Sequence, residues 1–155
     1  MAGSTKVSQI ISQISGQDAI MTIDNLLTPI FYSEPEKLSG EEKAIVYIEE
    51  LEREVNNGGF AQYFHNSSGD NTEEAIRSLR KIGSIKFLSL IESAKAQFPN
   101  SYVPVNHTER QQILGEMEDE ARRAWNDLDS EFYKYEEDIY SLLFAYIERN
   151  IDKFR

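Results

Sequence analysis

Apolar residues recur at three- and four-residue spacing along most of the chain, in runs separated by breaks of Gly, Pro, Asn and Ser, and strand-like alternation is absent. Residues 1–16 read as a weakly helical or frayed lead-in. The first firm helix covers "QDAIMTIDNLLTPIFYS", with Asp18 as N-cap and Ile20, Ile23, Leu27 and Ile30 on one stripe. Pro29 lacks an N–H and crowds the preceding turn, which predicts a kink or an end near Thr28. A turn and the capping-box spacing Ser39-x-x-Glu42 then open a helix with Ala44, Ile48, Leu51 and Val55 toward the core. Glu42, Glu49, Glu50 and Arg53 fall on its other side and are expected in water.

The stretch "EVNNGGFAQYFHNSSGD" interrupts this series. Asn57, Gly58 and Gly59 tolerate left-handed backbone angles and stop the helix after Val55. Phe60, Tyr63 and Phe64 share one face of a short restart that enters the core. Asp70-x-x-Glu73 is a second capping-box spacing, for a helix that buries Ala75, Ile76, Leu79 and Ile82 and stops at Gly83. A further helix carries Phe87, Leu88, Ile91, Ala94 and Phe98 to Pro99. After the loop "NSYVPVNH", Thr108-x-x-Gln111 opens a long helix with Ile113, Leu114, Met117, Ala121, Ala124, Trp125 and Leu128 inward. "DLDSEFYKY" breaks the pattern, and Ile139, Leu142, Leu143, Tyr146 and Ile147 mark a terminal helix. The pattern predicts an all-α fold, a single compact domain of about six to eight helices. Residues 1–38 form a helical lead-in packed on the main helical domain at 39–155.

The chain has no cysteine, which excludes disulfides and thiolate chemistry. No signal-peptide core or membrane-length apolar run is present, so a cytoplasmic protein is expected. His65 and His107 lack helical metal-site spacing, no phosphate loop follows the glycines, and no nucleophile stands with a matching base. The expectation is therefore a non-enzyme without metal or cofactor.

Net charge changes the picture most. At −11 it disfavours direct binding of nucleic acid or anionic membrane and suits a basic protein partner. The excess is concentrated: residues 41–54 hold six acids and two bases, and residues 116–138 hold ten acids and three bases, giving −4 and −7. The candidate partner-binding acids are Glu42, Glu49, Glu50, Glu116, Asp119, Glu120, Asp127, Glu136, Glu137 and Asp138. Arg122 and Arg123 stand within one turn of Glu118, Asp119 and Glu120 and can pair with them.

"VYIEELEREVNNGGFAQYFHNSSGD" resembles the signature of a bacterial all-helical domain family of largely unassigned function, one branch of which is described as DNA-mimic proteins. The matching positions are Glu54, Asn56, Asn57, Gly58, Gly59, Phe60, Gln62, Tyr63, Phe64, Asn66, Gly69 and Asp70, and their role is read as mainly structural. The likeness runs from about Glu42 through "IRSLRKIGSIKFLSLIESA" to "LDSEFYKYEEDIYSLLFAYI". It implies an acidic domain, monomeric or homodimeric, that binds and sequesters a basic, DNA-binding protein. Two other readings stand beside it. One is an immunity- or antitoxin-like protein that blocks a toxin by shape. The other is a small-ligand binder or enzyme at the Asn56–Gly59 corner, with Tyr63 and Asn66 in its wall.

Overall fold

The apolar stripes close on one another around the longest helix. In the computed structural model, residues 5–155 are described, as eight α-helices joined by short 3-10 turns, with no strand among the described residues. They are α1 (Lys6–Gln13), α2 (Gly16–Ser33), α3 (Gly40–His65), α4 (Thr72–Ile82), α5 (Ile85–Lys95), α6 (His107–Glu116), α7 (Asp119–Tyr133) and α8 (Ile139–Arg149). The fold is all-α, as the pattern predicts, and one buried apolar cluster runs from Val7 to Phe154. α3 lies at its centre, against α2, α4, α6 and α7, while α8 covers α2 and α4. No described helix is long and apolar enough to cross a membrane.

Several boundaries depart from the pattern. Part of the lead-in is a regular helix: Thr5 caps α1 through Ser8 N–H, and Val7 is fully buried. Residues 1–4 lie outside the described residues. α2 begins at Gly16 with Ser15, not Asp18, at its N-cap, and continues through Pro29 to Ser33. A proline removes one helical hydrogen bond, whereas Leu27, Ile30 and Phe31 on either side are held by the core, and packing wins. Asp70 does not cap α4; Asn71 holds that position without a side-chain capping bond. The long helix expected from Thr108 is two helices, since Met117 is extended (φ −66°, ψ 138°) and α7 starts at Asp119. Asn106 caps α6 by accepting from Glu109 N–H at 2.9 Å. "DLDSEFYKY" stays helical as far as Tyr133, because Phe132 is a buried core residue, and the real break follows at Lys134.

The predicted break in α3 is real. Gly58 (φ −156°, ψ 19°) and Gly59 (φ 75°, ψ −177°) leave helical geometry inside it. The restart needs a new N-terminal cap, and α7 supplies it: Asp129 Oδ1 accepts from Phe60 N–H at 2.8 Å. A Cβ on Gly59 would stand 2.2 Å from Asp129 Oδ2, so the left-handed angle and the close approach both demand glycine. Phe60, Tyr63 and Phe64 then enter the core, where Phe64 meets Phe98 and Trp125 at centroid distances of 4.9 and 5.2 Å.

The far end of α3 is closed by Arg110, which is fully buried. Its guanidinium donates to the carbonyls of Phe64 (2.7 Å), Asn66 (2.9 Å), Pro104 (2.8 Å) and Val105 (3.2 Å), and lies 2.8 Å from Asp70. Gly69 makes room for it, since a Cβ there would meet Arg110 Nε at 2.6 Å. Arg110→Ala removes a fully buried guanidinium and leaves the carbonyls it serves without a donor, so it is expected to lower the unfolding free energy by about 3 kcal/mol in urea melts. Arg110→Lys should also destabilise, because a point charge cannot replace the fork of donors. A change within ~0.5 kcal/mol for either variant would remove Arg110 from this role.

Candidate functional site

The ten acids expected on the surface divide into three sets. Glu42, Glu49 and Glu50 are interior, at 2, 7 and 4% exposure, which corrects their placement in water. The reason is positional: α3 is wrapped on both sides, so the face opposite its apolar stripe is covered by α2, by the turn after His65 and by Tyr140 of α8. Glu42 closes the capping box with Ser39 N–H (2.9 Å) and accepts from Arg155 Nε (2.9 Å). Burial pushes its carboxyl up, but Arg155 and the Ser39 and Arg155 backbone N–H groups outweigh this and hold it below the ordinary value. Glu50 accepts from Tyr32 OH and from Asn71 Nδ2 at 3.1 Å. Glu52, also buried, accepts from Tyr140 OH and from Tyr135 OH at 3.0 Å. Burial, and after it the Glu52 hydrogen bond, drives the Tyr140 hydroxyl well above the usual phenol range.

A second set is engaged in the fold near the surface. Glu136 lies 3.2 Å from Lys86. Glu137 caps α5, accepting from Ser84 Oγ (2.6 Å) and Ile85 N–H (3.1 Å). Asp138 caps α8 through Ser141 N–H at 3.2 Å, and the Ser141 bonds hold its carboxyl below the ordinary value.

The third set is Glu116, Asp119, Glu120 and Asp127, all exposed. None of them has an ion-pair partner among the described residues. Glu116, Asp119 and Glu120 occupy the elbow between α6 and α7, and Asp127 lies about two turns further along α7. Arg122 does not neutralise them; its guanidinium turns away and donates to Leu114 O at 2.7 Å, tying the end of α6 to α7. Glu116, Glu118 and Glu120 border a groove of about 400 Å³ with Ile113, Met117 and Ala121 in its wall. The elbow is a ledge, tied by Arg122, with several unpaired carboxylates beside an apolar strip.

The family-type corner is filled by its own chain. Glu54 accepts from Gln62 Nε2 (2.7 Å) and Asn66 Nδ2 (3.1 Å), and Asn56 Nδ2 donates to Tyr135 OH (2.7 Å). Tyr63 is fully buried and Asp129 occupies the space against Gly59, so these residues enclose no common pocket. A cavity of about 490 Å³ lies on the other side of the restart, bordered by Gln62, His65, Asn66, Gln111 and Arg122. No group of three or more His, Cys, Asp or Glu among the described residues could hold a metal ion. Asp24, Glu52, Arg110, Asp129 and Tyr32 carry much of this arrangement without having been singled out by pattern, together with Tyr135 and Tyr140 from the tyrosine-rich C-terminal region, which reads in the sequence as mostly core. The surplus of tyrosines is the one signal in the sequence, since buried phenols need acceptors.

Glu49 gives this network a pH dependence. Burial first, and Glu52 second, push its carboxyl from 4.5 up to about 9. Asp24 adds to the effect and Arg53 opposes it. Between about pH 5 and 9 the folded chain holds a proton that the unfolded chain has lost, so this group makes stability fall as pH rises. Glu49→Gln is expected to flatten the thermal-melting profile across that window, with a gain of ~3 °C or more at pH 8 and little at pH 5. Parallel profiles for wild type and variant would contradict a proton retained by the buried Glu49.

Comparison with known proteins returns one family: a model described as DMP19-like protein matches residues 36–150. No curated protein and no solved structure matches the chain. The matched span takes in α3 to α8, and with them the glycine corner and the acidic elbow. The chain belongs to the DMP19-like protein family.

Proposed function

We propose that this protein is an interaction module of the DNA-mimic type, which binds and sequesters a basic nucleic-acid-binding protein through the α6–α7 elbow. The observation that carries the reading is the set of exposed, unpaired carboxylates at Glu116, Asp119, Glu120 and Asp127, in a chain whose other predicted acids are largely consumed by the fold. Membership of the DMP19-like family supports it. Carboxylates one helical turn apart are separated by about 5–6 Å along the axis, and phosphates of one DNA strand rise about 3.4 Å per nucleotide while winding around it. A lysine- or arginine-rich surface that grips a phosphate backbone can therefore grip this ledge. Asp119 and Glu120 also sit in the first turn of α7, where the helix dipole favours negative charge, so they are held there without ion pairs.

The apolar strip beside the acids adds contact area once the partner has arrived, while charge supplies steering and speed. The triple substitution Glu116→Lys, Asp119→Lys and Glu120→Lys is expected to abolish recovery of basic proteins in pulldowns while leaving the melting temperature within ~2 °C. Duplex DNA should compete with the wild-type protein for the same partner, and ~0.5 M salt should release it, since exposed charge contacts are screened. Retention at high salt by the triple variant would overturn the mimic reading and favour the shape-based, immunity-like one.

A further inference from the structure

The groove of about 400 Å³ at the elbow combines two kinds of lining. Its wall is apolar. Ile113 and Met117 pack on the core and are only half-buried, and Ala121 from α7 is half-buried beside them. Pro99, in the turn after α5, is exposed at its border. The rim is acidic, since Glu116, Glu118 and Glu120 are all exposed and none has an ion-pair partner among the described residues. No lysine or arginine lines the groove. The apolar positions therefore recur every four residues, with carboxylates between them.

We propose, resting on the reading of the elbow as a surface for basic proteins, that this groove receives one amphipathic basic helix of the partner, with an apolar side chain seated among Ile113, Met117 and Ala121. Charge complementarity selects the occupant. An uncharged apolar molecule would draw water away from three carboxylates and give them nothing in return. A second copy of this chain, at net charge −11, would approach with like charge. A segment that alternates leucine-type residues with lysine and arginine satisfies wall and rim together. The backbone of that segment must also be satisfied. The described residues contain no strand, hence no sheet edge on which an extended peptide could pair, whereas a helix bonds its own N–H and C=O groups. Its apolar residues at i and i+4 then match the four-residue interval of the wall, and its flanking cations meet the rim. Charge on this view brings the partner in, and the apolar anchor decides which basic segment stays.

The test is fluorescence-anisotropy titration of the full chain with labelled lysine-rich peptides of about 15–18 residues, long enough to form a helix. The first peptide carries leucines at i and i+4. The second has alanine in their place at equal charge, and the third keeps the leucines but has a proline at its centre. Saturable one-to-one binding of the leucine peptide is expected, with the alanine and proline peptides weaker by ~10-fold or more. Ala121→Gln fills the groove without changing the charge, and Met117→Gln makes its wall polar. Either should reduce binding of the leucine peptide to the level of the alanine peptide, leaving binding of the alanine peptide as in wild type and the melting temperature within ~2 °C. Equal binding of the leucine and alanine peptides, or indifference to both variants, overturns the groove while sparing the charge-based reading of the elbow. Undiminished binding of the proline peptide overturns the helical occupant. If neither the leucine nor the alanine peptide binds, the groove falls, and recovery of basic proteins by the wild-type chain then decides whether the elbow reading falls with it.

Discussion

Four glutamates on one helix leave water in this fold, and the way each is compensated dictates how the other helices must lie. A carboxylate taken out of solvent loses several kcal/mol of hydration unless donors replace it. Glu42 draws in the chain end at Arg155, Glu50 draws in α2 through Tyr32 and the turn after α3 through Asn71, and Glu52 draws in Tyr135 and Tyr140. Only Glu49 lacks a donor of this kind, and a proton stands in for one. Apolar burial makes α3 central, but it does not say which neighbour goes where. The carboxylates do, since each accepts from a particular residue on a particular element. Buried polar contacts of this kind restrict the number of ways the helices can pack, and add little net stability in doing so.

The glycine corner serves the same end by a different route. A helix running unbroken from Gly40 to His65 would carry Phe60, Tyr63 and Phe64 past the core formed by α5 and α7. The break at Gly58 and Gly59 re-aims them, and it leaves Phe60 N–H in need of an acceptor, which Asp129 provides. Asp129 is pushed above the ordinary carboxyl value by burial, against the pull of that N–H, so the contact is kept at some electrostatic cost. At the other end of the restart, Arg110 gathers the carbonyls that the next break exposes. Asn56, Gly59, Gly69 and Asp70 make sense together on this view: every one of them meets α6, α7 or the segment after α7.

Periodicity revealed an all-α fold of about six to eight helices and most of the core, because apolar stripes record what each helix packs against. It could not reveal that α3 is enclosed on two sides, since Glu49 and Glu50 look the same in sequence whether a helix faces water or tyrosines. The same limit hid the elbow: Gly115 is a weak breaker inside the last turn of α6, and the apolar spacing of Leu114, Met117 and Ala121 reads smoothly across a break that Arg122 helps to hold. Pro29 misled in the opposite direction, its local penalty being smaller than the burial around it. The exposed half of the candidate site was legible, for Glu116, Asp119, Glu120 and Asp127 lie on helix faces away from Trp125. What the spacing lacked was the distinction between acids that are free and acids already spoken for.

That distinction changes how the net charge of −11 bears on function. Formal charge in the 41–54 segment is screened from any partner by the helices and hydroxyls around it, so it contributes a diffuse field rather than a contact surface. The ledge at α6 and α7 differs in two respects. Its carboxylates are exposed and free of ion pairs among the described residues, so the basic groups of the proposed partner would meet them without first breaking internal pairs. They are also mounted on a backbone that Arg122 and the Trp125 bond to Ala94 O hold in place. Rigid charges in fixed spacing lower the ordering penalty on association, which a flexible acidic tail of equal charge would have to meet in full. The interior glutamates and the surface acids therefore divide one composition between two tasks: the first set fixes the frame, and the frame gives the second set its geometry.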